Sequence, residues 1–330
     1  MKATVMDDLL AALRAAAETT RLRILTLLSQ GELTVGELVS ILKQSQPRVS
    51  RHLKLMCAAG LLDRFQEGTV VFYRLANTGL GGDINHALIP LVPEGNASFD
   101  QDLSSLASIQ QEKFEKAQSY FRANAASWDE IRSLHISEEQ VEAALLALQG
   151  KQKQARFLDI GTGTGRILEL FAPYVEQAVG IDVSREMLAV ARGNLAKKAL
   201  ANCQVRLGDM YNLGVASESH DLVVFHQVLH FADAPAQAVH EAARALAEGG
   251  MMLIVDFAPH EEEFMRSEHA HRRLGFADEE ITLMGEQAGL KCSAVQHLKG
   301  GKLRVTIWRF EKPLSSRKSG SAQSAKSGKE

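Results

Sequence analysis

Three glycines at alternating positions, Gly161, Gly163 and Gly165, separate an apolar run containing an acid, Arg156-Phe157-Leu158-Asp159-Ile160, from a stretch with helical spacing, Arg166-Ile167-Leu168-Glu169-Leu170-Phe171. The pattern predicts strand, tight turn and helix, with bare main chain at the turn where a ligand can come close. The dinucleotide fingerprint G-x-G-x-x-G does not fit, because the third glycine comes one residue early. Asp159 narrows the chemistry, since a carboxylate at a strand end repels a pyrophosphate but suits a ligand bearing an ammonium and a sulfonium. S-adenosylmethionine is such a ligand. Val179-Gly180-Ile181-Asp182 then reads as a buried strand ending in an acid about 20 residues on, where a Rossmann-like fold holds ribose hydroxyls. Val205-Arg206-Leu207-Gly208-Asp209-Met210 repeats the pattern, with Asp209 placed to accept from an adenine amine and the next N–H, that of Met210, to donate to the ring. Any one of these is an ordinary strand-end acid. Three in order, at the C-terminal ends of successive strands, mark the ligand edge of an open α/β sheet.

From Ala117 to about Phe310 the chain resembles the class I S-adenosylmethionine-dependent methyltransferases, most like the small-molecule branch that includes ubiquinone-biosynthesis enzymes. The resemblance implies a Rossmann-like doubly wound sheet. It also implies S-adenosylmethionine, or its product S-adenosylhomocysteine, held by Asp159, Gly161, Gly163, Gly165, Asp182, Asp209 and Met210. The strand Asp221-Leu222-Val223-Val224-Phe225 ends at His226-Gln227-Val228-Leu229-His230, which in that family lies beside the transferred methyl group. His226 and His230 are therefore candidates to orient or deprotonate a small acceptor, although lone histidines are more often structural. Methyl transfer from a sulfonium needs positioning and desolvation more than acid–base help. The Asn/Asp-Pro-Pro-aromatic run of amino-methylating DNA enzymes is missing, and no cysteine follows a proline, so a small molecule is the expected methyl acceptor rather than DNA. Arsenite methylation depends on several cysteines around the site, which three scattered ones can hardly supply. Tyr120-Phe121 and Trp128-Asp129 match family aromatics that can lid the ligand, with core packing as the competing role.

The front of the chain carries a different chemistry. Between Arg21 and Leu75 eight basic residues face four acidic ones, a net of +4 within a chain of −3, which points to a polyanionic partner for that segment. An alanine- and leucine-rich helix, Asp7 to Ala17, and a second short helix through Leu22, Ile24, Leu25 and Leu28 precede Thr34-Val35-Gly36-Glu37, a capping box. A further helix from Pro47 to Gly60 sets Val49, Leu53 and Met56 on one face. Leu61–Gln66 and Thr69–Leu75 alternate as strands about Glu67-Gly68, a hairpin signal. Helices followed by a β-hairpin make a winged helix. Thr20-Arg21-Leu22-Arg23-Ile24-Leu25, Ser45-Gln46-Pro47-Arg48-Val49-Ser50-Arg51-His52-Leu53-Lys54 and Ala59-Gly60-Leu61-Leu62 resemble the ArsR/SmtB repressors over about residues 6–76. That implies a homodimer on a double-stranded DNA operator, with the second helix of the pair in the major groove. Gln46, Arg48 and Arg51 have donors for base edges; Ser45, Ser50, His52 and Lys54 suit phosphates. Many members of that family sense metals through thiols, but Val35-Gly36-Glu37-Leu38-Val39-Ser40 has none. Asp83-Ile84-Asn85-His86 has the wrong spacing for the alternative set, so no metal site is expected.

The remaining elements connect these two regions. A short helix and linker are expected from Thr78 to Asn96. Phe99, Leu103, Leu106, Phe114, Ala117 and Phe121 form a loose apolar stripe on a long helix interrupted near Gln110, read as packing or, on a connector, as a dimer seam. Ser137-Glu138-Glu139-Gln140 is a second capping box. Met251–Asp256 reads as a fifth strand, 260–273 as a charged insertion that caps the acceptor pocket or, the preferred reading, forms a solvated helix. Phe276–Ala288 reads as a helix and Leu303–Phe310 as the last strand. The expected fold is α/β with an N-terminal α+β winged helix, divided as a winged helix over 1–77, connector helices over 78–127, a class I methyltransferase domain over 128–312 and a disordered tail over 313–330. Cys57, Cys203 and Cys292 are too few and scattered for a disulfide framework. Without a signal-peptide layout or a spanning apolar run, a cytoplasmic location without membrane contact is expected. Two functional readings follow: a DNA-binding regulator that senses S-adenosylmethionine or S-adenosylhomocysteine, and an active small-molecule methyltransferase whose winged helix serves autoregulation or localisation.

Overall fold

The computed structural model describes residues 2–67, 69–76, 78–93, 95–125, 138–150, 153–299 and 303–314. The expectations for Gly68, Trp128-Asp129, Ser137, the side chains of Phe114 and Ala117, and the tail from 315 onward lie outside the described residues.

At the front, α1 (Lys2–Ala16), α2 (Thr19–Leu28), α3 (Val35–Leu42) and α4 (Gln46–Ala58) surround Ile24, Leu38, Val49, Leu53 and Met56, all fully buried. Helix α3 starts where its capping box dictates: Thr34 Oγ1 accepts from the Glu37 N–H at 3.2 Å, and the Thr34 N–H donates to the Glu37 carboxylate at 2.7 Å. Strands β2 (Leu62–Glu67) and β3 (Val70–Leu75) form the antiparallel wing, with β1 (Leu33–Thr34) on the outer edge of β3. Helix α5 (Gly79–Leu88) closes the base of the hairpin, where buried Asn85 donates from Nδ2 to the carbonyls of Leu61 at 2.9 Å and Ala76 at 3.1 Å.

Helix α6 (Ala97–Asn124) runs unbroken for 28 residues, which corrects the expected interruption near Gln110. The two ends of the helix serve different partners. Its first half belongs to the winged-helix core through Leu106 and through Asp102, which accepts both guanidinium bonds of Arg23 at 2.5 and 2.6 Å with only 3 % of its surface exposed. Its second half leaves that core.

The rear of the chain forms one seven-stranded sheet in the order β6-β5-β4-β7-β8-β10-β9. Strands β4 (Gln154–Ile160), β5 (Val175–Asp182), β6 (Cys203–Leu207), β7 (His220–His226) and β8 (Leu246–Phe257) are parallel. Strand β10 (Arg304–Glu311) runs antiparallel between β8 and β9 (Lys291–Lys299). The central strands read as continuous apolar runs because both faces are covered: Phe157, Leu222 and Val224 enter one core, Leu158, Val223 and Phe225 the other. Among the described residues the remaining α-helices are α7 (Glu138–Gln149), α8 (Arg166–Phe171), α9 (Arg185–Lys197), α10 (Pro235–Ala245), the short α11 (Phe264–Ser267) and α12 (Asp278–Gln287). Strand β9 was not foreseen; it is an edge strand whose side chains alternate between exposed and half-buried, so no strong apolar period announces it. Strand order reverses about β4 and β7, the switch point where an open α/β sheet presents its ligand crevice.

Candidate functional site

A cavity of about 140 Å³ opens at that switch point, lined by Asp159, Gly161, Gly163, Asp182, Asp209 and Met210 on one side. The glycine loop is held against the neighbouring strand, since Gly161 N and Thr162 N both donate to the Ile181 carbonyl, at 2.8 and 3.0 Å. Gly161 has φ +70°, and a Cβ there would stand 2.3 Å from Val228 Cγ2, so only glycine lets the loop meet the β7 side of the crevice. Gly180 plays the matching part in β5, where a Cβ would strike Thr162 Oγ1 at 2.5 Å. Gly165 is the N-cap of α8 and is not itself in the cavity wall.

The three acids differ in environment. Asp159 is buried, with Thr162 Oγ1 donating to its Oδ2 at 2.6 Å. Asp182 accepts Gly163 N at Oδ2 and Ser184 N at Oδ1, both at 2.8 Å. Its packed surroundings push the carboxyl above the usual carboxylate range, and backbone N–H groups of Ser184, Gly163 and Val183 pull the other way. Asp209 is exposed and accepts the Tyr211 N–H at 3.0 Å.

Facing these acids, Phe121 of α6 meets Phe231 edge to face at 4.9 Å, with His226, Gln227, Asp233 and Arg272 beside them. Gln227 adopts φ +51°, a left-handed conformation in a 9 % exposed residue, and its N–H donates to the Val255 carbonyl at 2.7 Å. Such a backbone costs on the order of 1–3 kcal/mol and is retained where the surroundings fix it. Arg272 pairs with Asp233, and burial pushes its guanidinium below its usual value. The Tyr211 hydroxyl accepts the N–H groups of Asp233 at 2.8 Å and Ala234 at 3.1 Å. Gln227, Phe231, Asp233 and Arg272 carry no motif in the sequence; their one signal is proximity to the end of β7 or to the charged insertion.

Of the two histidines, His226 is in the wall and His230 is not. His230 is 2 % exposed, bonds through Nδ1 to Asp256 at 2.7 Å, and stacks on His271 with ring centroids 3.9 Å apart. His230 thus lies behind Phe231, with ring centroids 4.1 Å apart.

The charged insertion after β8 is not a solvated helix. His271 and Arg273 are 8 % and 3 % exposed, His271 because it packs among His230, Phe231 and Phe257, and Arg273 because it packs against the wing. Arg273 pairs with Glu32 at 2.9 Å and Glu280 at 2.7 Å, and its guanidinium lies over the Phe65 ring at 5.0 Å. Arg266 lies over Phe72 at 5.4 Å. Glu263 Oε1 accepts both the N–H of Thr69, at 2.7 Å, and its hydroxyl, at 3.1 Å. The connector reaches the same region, with the Tyr120 hydroxyl 2.7 Å from His269 Nδ1.

On α4, Ser45, Gln46, Arg48, Arg51 and Lys54 are exposed and Ser50 is half-buried, opposite the buried Val49, Leu53 and Met56. Ser45 is the N-cap but forms no side-chain cap bond. His52 departs from its expected outward position: its side chain is 15 % exposed and lies 3.8 Å from Glu18, the N-cap of α2. Burial lowers its pKa, with Arg21, Arg48 and Arg51 adding to the effect and Glu18 opposing it.

Comparison with known proteins adds two matches. Residues 18–64 match the bacterial regulatory protein, arsR family, and residues 158–254 match the methyltransferase domain. The arsenical resistance operon repressor of Escherichia coli is 51 % identical over 61 residues, which cover 18 % of this chain and 52 % of that protein. An uncharacterized methyltransferase of Bacillus subtilis, YcgJ, is 34 % identical over 105 residues, covering 32 % of this chain and 42 % of the relative. The arsenite methyltransferase of Halobacterium salinarum is 34 % identical over 102 residues, 30 % of this chain and 26 % of that enzyme. The chain thus spans about half or less of the length of each of these relatives. The crystal structure of YcgJ covers 54 % of this chain at 19 % identity, with a TM-score of 0.48. Among the described residues no helix is long and apolar enough to cross a membrane.

Proposed function

We propose that this chain, which belongs to the bacterial arsR regulatory family over residues 18–64 and carries a methyltransferase domain over residues 158–254, is a DNA-binding regulator whose rear domain binds S-adenosylmethionine or S-adenosylhomocysteine and reports that occupancy to the DNA. The observation that carries this reading is α6, which has Asp102 and Leu106 in the winged-helix core and Phe121 in the cavity wall.

The residues present fit the ligand. An ionised carboxylate offers about four acceptor positions. Asp182 gives up to three of these to the N–H groups of Gly163, Ser184 and Val183 and keeps capacity for a ribose hydroxyl. Asp209 and the Met210 N–H suit adenine. Asp159 and the bare loop at Gly161 and Gly163 suit the amino-acid end with its positive charge. S-adenosylmethionine, when bound, supplies an electrophilic methyl on a sulfonium. The chain's own part is to bind, orient and exclude water, with Phe121 and Phe231 closing the side that faces the acids. On the DNA, Gln46, Arg48 and Arg51 read base edges while Ser45, Ser50 and Lys54 hold phosphates, two copies of the chain sharing a two-fold operator. The same reading divides the chain into a winged helix over 1–77, a connector over 78–127 and a methyltransferase domain over 128–312.

A second reading, an active small-molecule methyltransferase with the winged helix as its regulator or tether, is favoured by His226 in the wall at the end of β7. Arsenite is not supported as its acceptor, because Cys57 lies in α4, Cys203 at the start of β6 and Cys292 in β9, all away from the cavity. The two readings separate in one experiment. Operator titrations without ligand, with S-adenosylmethionine and with S-adenosylhomocysteine should differ by about 1–3 kcal/mol, with DNA changing ligand affinity by the same factor. Three coincident curves overturn the sensor; a labelled small product formed from labelled S-adenosylmethionine in cell extract establishes turnover.

A further inference from the structure

The segment of residues 258–277 between β8 and α12 touches both halves of the proposed regulator. On one side Arg272, paired with Asp233, is part of the ligand cavity wall. The next residue, Arg273, is tied to Glu32 beside β1 and lies over Phe65 of the wing. A second cavity between the two halves has Asp233 and Arg272 in its wall as well, together with Glu32, Thr34 and Phe72 of the winged helix. A single short stretch therefore separates the ligand from the wing.

Its other end holds the wing directly. Glu263 takes two donors of Thr69, the backbone N–H and the hydroxyl, at the start of the returning wing strand. Backbone N–H and threonine hydroxyl groups are among the donors that proteins offer to DNA phosphates. A carboxylate on those donors takes the place of a phosphate oxygen and repels the phosphates near it. The recognition helix is under no such restraint, with Arg48, Arg51 and Lys54 exposed. The wing is covered while the helix is ready.

We propose that residues 258–277 form a clamp in which Glu263 masks a phosphate contact of the wing, set by the ligand cavity through Arg272 and Asp233. The proposal rests on the reading of the chain as a ligand-responsive DNA binder. Moving Arg272 strains the adjoining Arg273–Glu32 and Arg273–Glu280 pairs, and these pairs fix the orientation of the insertion on the wing.

The test uses the full chain and a labelled duplex selected by the wild-type protein from a random-sequence library. Glu263→Ala should tighten DNA binding about fivefold or more in the absence of ligand. It should steepen the salt dependence by about one counterion per protomer. The gap between titrations with and without S-adenosylhomocysteine should narrow. In a Thr69→Val background the gain should shrink, because one of the two masked donors is gone. Calorimetry with S-adenosylhomocysteine confirms that each variant remains folded and saturable. Equal or weaker DNA binding by Glu263→Ala, with the ligand response of the wild type intact, overturns the clamp and leaves the sensor standing. A wild type that selects no duplex, or one whose binding ignores both ligands, overturns the underlying reading and the clamp with it.

Discussion

One wall of the cavity is assembled from neighbours, the other from strangers. Asp159, the glycine loop, Asp182 and Asp209 arrive in chain order on adjacent strands, fixed by backbone bonds such as Gly161 N to Ile181 O. Phe121, Phe231, Asp233 and Arg272 come from segments as distant as the 149 residues between the neighbouring pair Tyr120 and His269, and rings and ion pairs hold them. The first wall could serve any protein of this sheet topology. The second depends on the rest of this chain, because two of its contributors, Phe121 and Arg272, are anchored in or against the winged helix. Binding strength should therefore be governed mainly by the first wall, and communication by the second.

The largest effect is expected on the wall of acids. Asp182→Ala should weaken S-adenosylmethionine by roughly 2–3 kcal/mol in calorimetry, by loss of charge-assisted hydrogen bonds, while the fold persists. The same residue gives a pH signature. Its carboxyl is raised, so the folded, ligand-free chain still holds a proton where the unfolded chain has released it. Stability without ligand should fall as pH rises from the ordinary carboxylate pKa through the folded one. Ligand affinity should run the other way, falling as pH drops through the folded pKa, because hydroxyl donors need the ionised form. Asp182→Asn should flatten both trends; a pH profile identical to wild type would take the assignment away.

A change remote from both walls is next in size. Arg51→Ala should cost about 1–3 kcal/mol of discrimination at the operator, and Lys54→Ala should weaken all sequences alike and lower the salt slope by about one. Ligand binding by either variant, measured without DNA, should match wild type. Gel shifts in which neither substitution matters would remove α4 as the reading element.

The smallest loss of affinity, and the sharpest test of the comparison, is Phe121→Ala. Removing one ring of an aromatic pair costs about 0.5–1.5 kcal/mol beyond its lost area. Ligand should still bind, yet the difference that S-adenosylhomocysteine makes to operator affinity should largely disappear. A variant that loses affinity and keeps its full DNA response would show that Phe121 and α6 do not carry the signal and leave Arg272 as the route from the second wall.

The pattern of what could be read in advance follows the same division. The strand, turn and helix around Gly161, and the α3 start at Thr34, depend on neighbours in sequence, so periodicity and capping expose them. The burial of Arg273 depends on Glu32 and Glu280, and nothing local to 260–273 distinguishes it from a solvated charge run. The unbroken α6 was hidden for a related reason: Leu106 serves the winged-helix core and Phe121 the cavity. Gln227 shows a third case, a left-handed residue without glycine or asparagine to announce it. His52 points inward because Glu18, far upstream, waits there.

Helix α6 is also a mechanical object. At 28 residues it is about 42 Å long, and Phe121 stands roughly 28 Å along it from Asp102, where Arg23 grips the winged helix. Taken as a lever turning about that grip, it has its long arm at the ligand. A shift of about 1 Å at Phe121 is then a tilt of only about two degrees. Such an arm gives up travel and gains force, so it is suited to straining a short, strong ion pair more than to swinging a domain across solvent.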